Sequence, residues 1–165
     1  MVSLSEPLSY EEITSHLSKD DKIGLICCNC CVRFCGTGGV DIMNDLADRL
    51  RADGYIVTDI VPTACLCVHD YVRNARISDG ITKMIVSACV AGWTSTARWF
   101  KDTEVEVVPT VKSLGLVIGD MRVGRFKLMM PFEEYKDLQG KEWNMMAGAT
   151  HADDSKIDVP VPEGH

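Results

Sequence analysis

Five cysteines fall within nine positions of the stretch ICCNCCVRFCGTGG, residues 26–39: Cys27, Cys28, Cys30, Cys31 and Cys35, followed by a turn of small residues. Three more stand at Cys65, Cys67 and Cys89. Thiols at this density have three chemical uses. They can hold a metal ion or an iron-sulfur cluster as thiolates, shuttle between dithiol and disulfide, or fill a core as small apolar groups. Cys28, Cys31 and Cys35 give the spacing C-x2-C-x3-C. One loop then supplies three thiolates, and a fourth comes naturally from a distant strand end, as a cubane held by four thiolates requires. Tetrahedral zinc accepts the same residues. Cys27 with Cys30, and Cys28 with Cys31, are each C-x-x-C pairs of the kind used by dithiol oxidoreductases. Cys27 closes an apolar run and reads as a buried thiol, and Cys30 fits that reading as well as any other.

The chain around these thiols has 165 residues, enough for one domain whose core needs no disulfides. Its opening, MVSLSEPLSYEE, carries acids and lacks both a basic start and an apolar run, so neither a signal peptide nor a transit peptide is expected there. No apolar stretch approaches the roughly 20 residues that span a bilayer, so no membrane insertion is expected. A cytoplasmic protein with reduced thiols follows, and in that compartment a cysteine cluster serves metal binding or catalysis more often than cross-linking. The net charge of −7, with no cluster of basic residues, argues against nucleic acid as a partner.

The elements that must position the thiols alternate. Ser9 followed by Glu12 is a capping-box pattern that starts a short helix over 9–18, within an N-terminal helical extension of residues 1–21. KIGLIC, residues 22–27, is a strand apolar enough to be covered on both faces. Val40, Met43, Leu46, Ala47 and Leu50 recur at helical spacing over 39–52, with Gly54 as a stop. YIVTDIV, residues 55–61, is a second strand, 67–77 a second amphipathic helix, KMIVSA at 83–88 a third strand, 92–101 a third helix and EVEVV at 104–108 a fourth strand. Beyond Pro109 the pattern weakens, with a strand at 114–118, a strand or extended arm at 121–130 and a short helix at 131–138. This alternation predicts an α/β domain over 22–139 with an open, mainly parallel sheet of flavodoxin- or Rossmann-like type.

On that scaffold the cysteines sit after the first, second and third strands, at the carboxyl edge of the sheet. That edge is where open α/β sheets bind ligands, at the point where the strand order reverses. With the order 2-1-3-4 the first and third strands are neighbours, and the loop of Cys28 to Cys35 meets Cys89. Cys65 and Cys67 are the substitutes for one of these ligands.

The same residues carry a family resemblance. CNCCVRFCGTGG, the cysteines after the second strand and SACVAGWTS around Cys89 together resemble the MetV-like iron-sulfur partner subunit of bacterial methylenetetrahydrofolate reductase, over roughly residues 22–112. The resemblance implies a [4Fe-4S] cluster rather than zinc, and an electron-transfer role beside a larger flavoprotein catalytic subunit that holds the folate. It favours Cys28, Cys31, Cys35 and Cys89 as ligands. Such subunits usually carry a further C-terminal cysteine-rich module, whereas no cysteine follows Cys89 here.

Other residues have two readings each. Gly36, Thr37, Gly38 and Gly39 precede a helix and suit either an anion cradle or a backbone that wraps closely round a metal site. His69 reads as a ligand, a proton donor or a solvated side chain, and Trp93 and Trp99 as core or interface anchors. No Ser-His-Asp set, paired-carboxylate site or Walker-type loop stands in the sequence, so catalysis by this chain alone is not expected. Residues 140–165 are small, polar and Pro-punctuated apart from Trp143, Met145 and Met146, the composition of a tail that orders on a partner.

Overall fold

The computed structural model describes residues 2–120 and 125–144. Its centre is a parallel sheet of four strands: β2 (Lys22–Cys28), β3 (Ile56–Thr63), β4 (Lys83–Ser87) and β5 (Glu106–Pro109), in the order β3-β2-β4-β5. Alternation along β2 divides the core. Ile23, Leu25 and Cys27 face one side, while Ile26 and Cys28 face the other. The first side is covered by α1 (Tyr10–Thr14) and α3 (Val40–Ala52) through Ile13, Met43, Ala47 and Leu50. The second side is covered through Val72 of α4 (His69–Arg73) and Phe100 of α5 (Val90–Phe100). Adjacent cysteines in the sequence thus enter different cores.

A second sheet is antiparallel; the strands expected at 114–118 and 121–130 fall within it, while its two outer strands have no counterpart in the sequence reading. Its strands are β1 (Val2–Pro7), β6 (Val111–Asp120), β7 (Arg125–Pro131) and β8 (Glu142–Asn144), in the order β1-β6-β7-β8. Leu4, Leu114, Val117 and Leu128 form its core together with Cys35. Gly115 passes between two strands at a positive φ of 153°, and a Cβ there would lie 2.3 Å from the Met130 carbonyl oxygen, an approach only glycine allows. The N-terminal stretch is accordingly more than a helical extension, because its first strand pairs with β6. The chain from Gly140 likewise departs from the expected tail, since the backbone of 142–144 pairs with β7; residues 145–165, with Met145 and Met146, lie outside the described residues.

Several boundaries shift for local reasons. The Ser9 capping box forms as expected, with Glu12 N–H donating to Ser9 Oγ at 3.1 Å and Ser9 N–H to Glu12 Oε2 at 2.7 Å, but α1 ends at Thr14. The helix expected over 67–77 is the single turn α4, because 64–68 is a tight turn closed by Val68 N–H on the Cys65 carbonyl at 3.2 Å. The short helix near 131–138 is a 3-10 helix, Glu133–Leu138. Among the described residues no helix is long and apolar enough to cross a membrane.

Candidate functional site: a thiol group at the carboxyl edge of the parallel sheet

β2 ends at Cys28, and α2 (Cys31–Phe34), a single helical turn, carries Cys31 at its start with Cys35 directly after it. Cys65 and Cys67 occupy the turn after β3, and Cys89 is the residue before the first turn of α5. Because β2 lies between β3 and β4, all three segments arrive at the same edge. Asn29 ties two of them together: its Nδ2 donates to the Thr63 carbonyl at 3.2 Å while its Oδ1 accepts from Val40 N–H at 3.0 Å.

The sulfurs meet as a chain of neighbours. The neighbouring Cys89 thiol favours the Cys31 thiolate and holds the Cys31 thiol below its ordinary value, while Cys31 and burial together push Cys89 up. The thiols of Cys31 and Cys65 act on that of Cys30, whose pKa is raised first by burial. Cys65 Sγ lies 3.1 Å from Cys67 Sγ, and that hydrogen bond is the leading cause of a Cys67 pKa pushed up to about 11. Cys28, buried, feels both Cys65 and Cys89. Burial raises its pKa, while the N–H groups of Leu66 and Cys30 act in the opposite sense by stabilising the thiolate. Backbone N–H groups of Ala91 and Gly92 point at the Cys89 sulfur in the same way, against the rise set by Cys31 and by burial.

Two cysteines of the first loop lie apart. Cys27 is fully buried on the α3 side of the sheet, where burial pushes its thiol up to about 11. Cys35 is turned toward β1: its Sγ donates to the Ser3 carbonyl at 3.4 Å, and burial among Leu4, Leu114 and Leu128 raises its pKa. Its partners belong to the strand that sequence periodicity did not reveal. Among the described residues no three or more Cys, His, Asp or Glu side chains are already disposed to hold a metal ion. Among the described residues the direct sulfur–sulfur contact is that of Cys65 with Cys67, so a metal would have to draw the loops of 29–35 and 64–68 around itself, coupling its binding to local ordering.

The glycine-rich turn serves close packing. The N–H of Gly36 donates to the Arg33 carbonyl at 3.1 Å, and those of Thr37 and Gly38 to the Val32 carbonyl at 2.9 and 3.1 Å, so three of the N–H groups an anion would need are engaged within the turn. A Cβ on Gly38 would sit 2.3 Å from Ser87 Oγ and 2.8 Å from Val32 Cγ2. Gly39 follows with φ 102°, a conformation that favours glycine, and starts α3. Gly92 plays the same part on the other side of the thiols. A Cβ there would lie 2.7 Å from Ala88 Cβ and 3.0 Å from Leu66 Cβ, inside α5 and against the turn that carries Cys65 and Cys67. Gly92→Ala is therefore expected to cost about 1–3 kcal/mol by overpacking and to push that turn outward. Urea unfolding reads the first effect and faster alkylation of Cys65 and Cys67 the second. Unchanged stability and alkylation would show that the contact yields freely.

His69 stands beside the thiol edge without touching it in any described contact. Its ring meets Trp99 edge-on at 5.6 Å between centroids, and its Nδ1 lies 3.4 Å from Ser95 Oγ. Trp93 is an anchor, packed on the α4–α5 core with its Nε1–H donating to the Val107 carbonyl at 3.3 Å. Sequence reasoning placed the thiols in three loops, but the Cys65–Cys67 contact had no sequence signal. It depends on loop conformation, which periodicity does not report.

The fold defines a class: a mixed α/β protein with a four-stranded, all-parallel sheet. No family model, no curated protein and no solved structure matches the chain.

Proposed function

We propose that this chain is an iron-sulfur electron-transfer subunit of a larger flavin-dependent oxidoreductase, with methylenetetrahydrofolate reductase in cytoplasmic one-carbon metabolism as the specific assignment. The corresponding fold reading is a flavodoxin- or Rossmann-like open sheet. One observation carries the proposal: Cys28 and Cys89 share one buried cluster with Cys31 packed against it, and Cys65 follows the neighbouring strand β3, so cysteines from three strand ends come to the edge where such sheets bind ligands. These four are the ligands of choice. Cys65 takes the place first given to Cys35, whose sulfur faces Ser3. Their donor chemistry fits a [4Fe-4S] cluster: sulfur ligands, backbone N–H groups directed at Cys28 and Cys89, and an apolar surround of Ile26, Val32 and Leu66. Bound there, such a cluster supplies one-electron transfer. The chain's own residues would hold it, tune its potential through those N–H groups and limit its exposure to water.

An electron carrier also needs a partner surface. Val68 and Val90, next in sequence to Cys67 and Cys89, are exposed, as are Tyr71 and Trp99 on the helices behind them. Apolar side chains of this kind around a redox edge suit contact with a flavoprotein. The test is anaerobic purification of the chain from its native host at endogenous level. Recovery with a flavin-containing protein, whose flavin is bleached when the thiol-bearing chain is reduced, is the expected result. A monomer that turns over a small substrate unaided would contradict it.

A further inference from the structure

We propose that Cys65 and Cys67 are a reversible disulfide site that reacts with small-molecule disulfides, such as oxidised glutathione, and thereby withdraws Cys65 from the thiol group. The two sulfurs are 3.1 Å apart, so a bond of about 2 Å needs an approach of only about 1 Å. Their spacing is fixed by the turn. Leu66, between them, is fully buried and packs where Gly92 leaves room, and Val68 N–H closes the turn on the Cys65 carbonyl at 3.2 Å. A pre-formed pair of this kind closes its second bond intramolecularly, far faster than a second external molecule can react. Access singles out Cys67, which is exposed; Cys30, Cys31 and Cys65 are half-buried, and Cys27, Cys28, Cys35 and Cys89 are buried.

The chemistry balances with one disulfide molecule as oxidant. The thiolate that the pair shares attacks a sulfur of the small disulfide, forming a mixed disulfide and expelling one thiolate. The second cysteine of the pair, losing its proton, then attacks the protein sulfur of that mixed disulfide, forming the Cys65–Cys67 bond and expelling the second thiolate. Two protein thiols lose two electrons, the small disulfide gains them, and the two protons leave with its two thiols. An excess of small thiol reverses the sequence. The disulfide stands on the 3.1 Å geometry alone; its effect on a bound cluster rests on the reading given under Proposed function.

Two experiments on the full chain separate these layers. In the first, fully reduced, metal-chelated protein is treated with oxidised glutathione and its peptides are mapped. The peptide spanning 52–73 should become two hydrogens lighter with no glutathione attached, while the remaining cysteines still alkylate. Cys65→Ser should instead trap glutathione on Cys67. Persistent adducts on the wild type, or a bond between another pair such as Cys31 and Cys89, overturn the proposal. In the second, iron-loaded wild type and Cys67→Ser are exposed to oxidised glutathione without oxygen. Iron should leave the wild type about tenfold faster, and equal rates overturn the withdrawal. Iron absent from both proteins would sink the cluster reading, and the withdrawal with it, while the peptide result stands by itself.

Discussion

Cys31→Ala and Cys89→Ala should each strip most of the iron from anaerobically prepared protein, while Cys27→Ala leaves it in place. A cubane needs one thiolate for each iron, so losing Cys31 or Cys89 removes one of the four ligands proposed. Cys89 is held there by its place before the first turn of α5, and Cys31 by the start of α2. Cys27 is the control built into the same strand. It is one residue from Cys28 yet lies in the core between the sheet and α3, so its removal touches a different set of neighbours. Iron and sulfide content per folded protein reads the result. Full retention by both Cys31→Ala and Cys89→Ala would refute the ligand assignment, and loss on Cys27→Ala would mean that the strand's alternation does not sort the thiols.

Leu4→Ala should cost about 2–5 kcal/mol, the range for deleting a fully buried leucine side chain. Leu4 is 0% exposed and packs with Leu114, Val117, Leu128 and Cys35 in the core of the antiparallel sheet. Its strand gives Cys35 its hydrogen-bond acceptor through Ser3 and places Ser5 Oγ 2.8 Å from Thr37 Oγ1 beside the glycine turn. Loosening β1 should therefore expose Cys35 to alkylation while the iron content of the folded fraction stays the same, because Cys35 is not a ligand in this account. Urea unfolding with thiol counting measures both effects. A change below about 1 kcal/mol would show that the strand contributes little packing.

The parallel half of the fold was legible because its strands are short apolar runs and its helices carry a regular apolar stripe. The observed order β3-β2-β4-β5 is the order expected from that pattern. The antiparallel half was legible only in part: strands were expected at 114–118 and, as one of two readings, at 121–130, where β6 and β7 run, but their partners β1 and β8 were not. VSLSEP, with two serines, a glutamate and a proline, has little strand propensity, and its pairing of Val2 with Val117 is long-range. β8 was hidden in a stretch whose composition suggested a tail. α5 begins at Val90 rather than Gly92, because that glycine reads as a breaker in sequence but is needed for close packing in space. At the site, strand alternation was enough to set Cys27 apart from the ligands. Sequence spacing grouped Cys35 with Cys28 and Cys31, and only the presence of β1 turns it away.

The central claim, that this thiol group holds an iron-sulfur cluster, is tested most directly by iron, zinc and sulfide analysis of the anaerobically purified chain together with its visible spectrum. The account predicts about four iron and four sulfide per chain and a broad visible absorption that dithionite bleaches. A colourless protein with stoichiometric zinc, or one with no metal and eight titratable thiols, would contradict it.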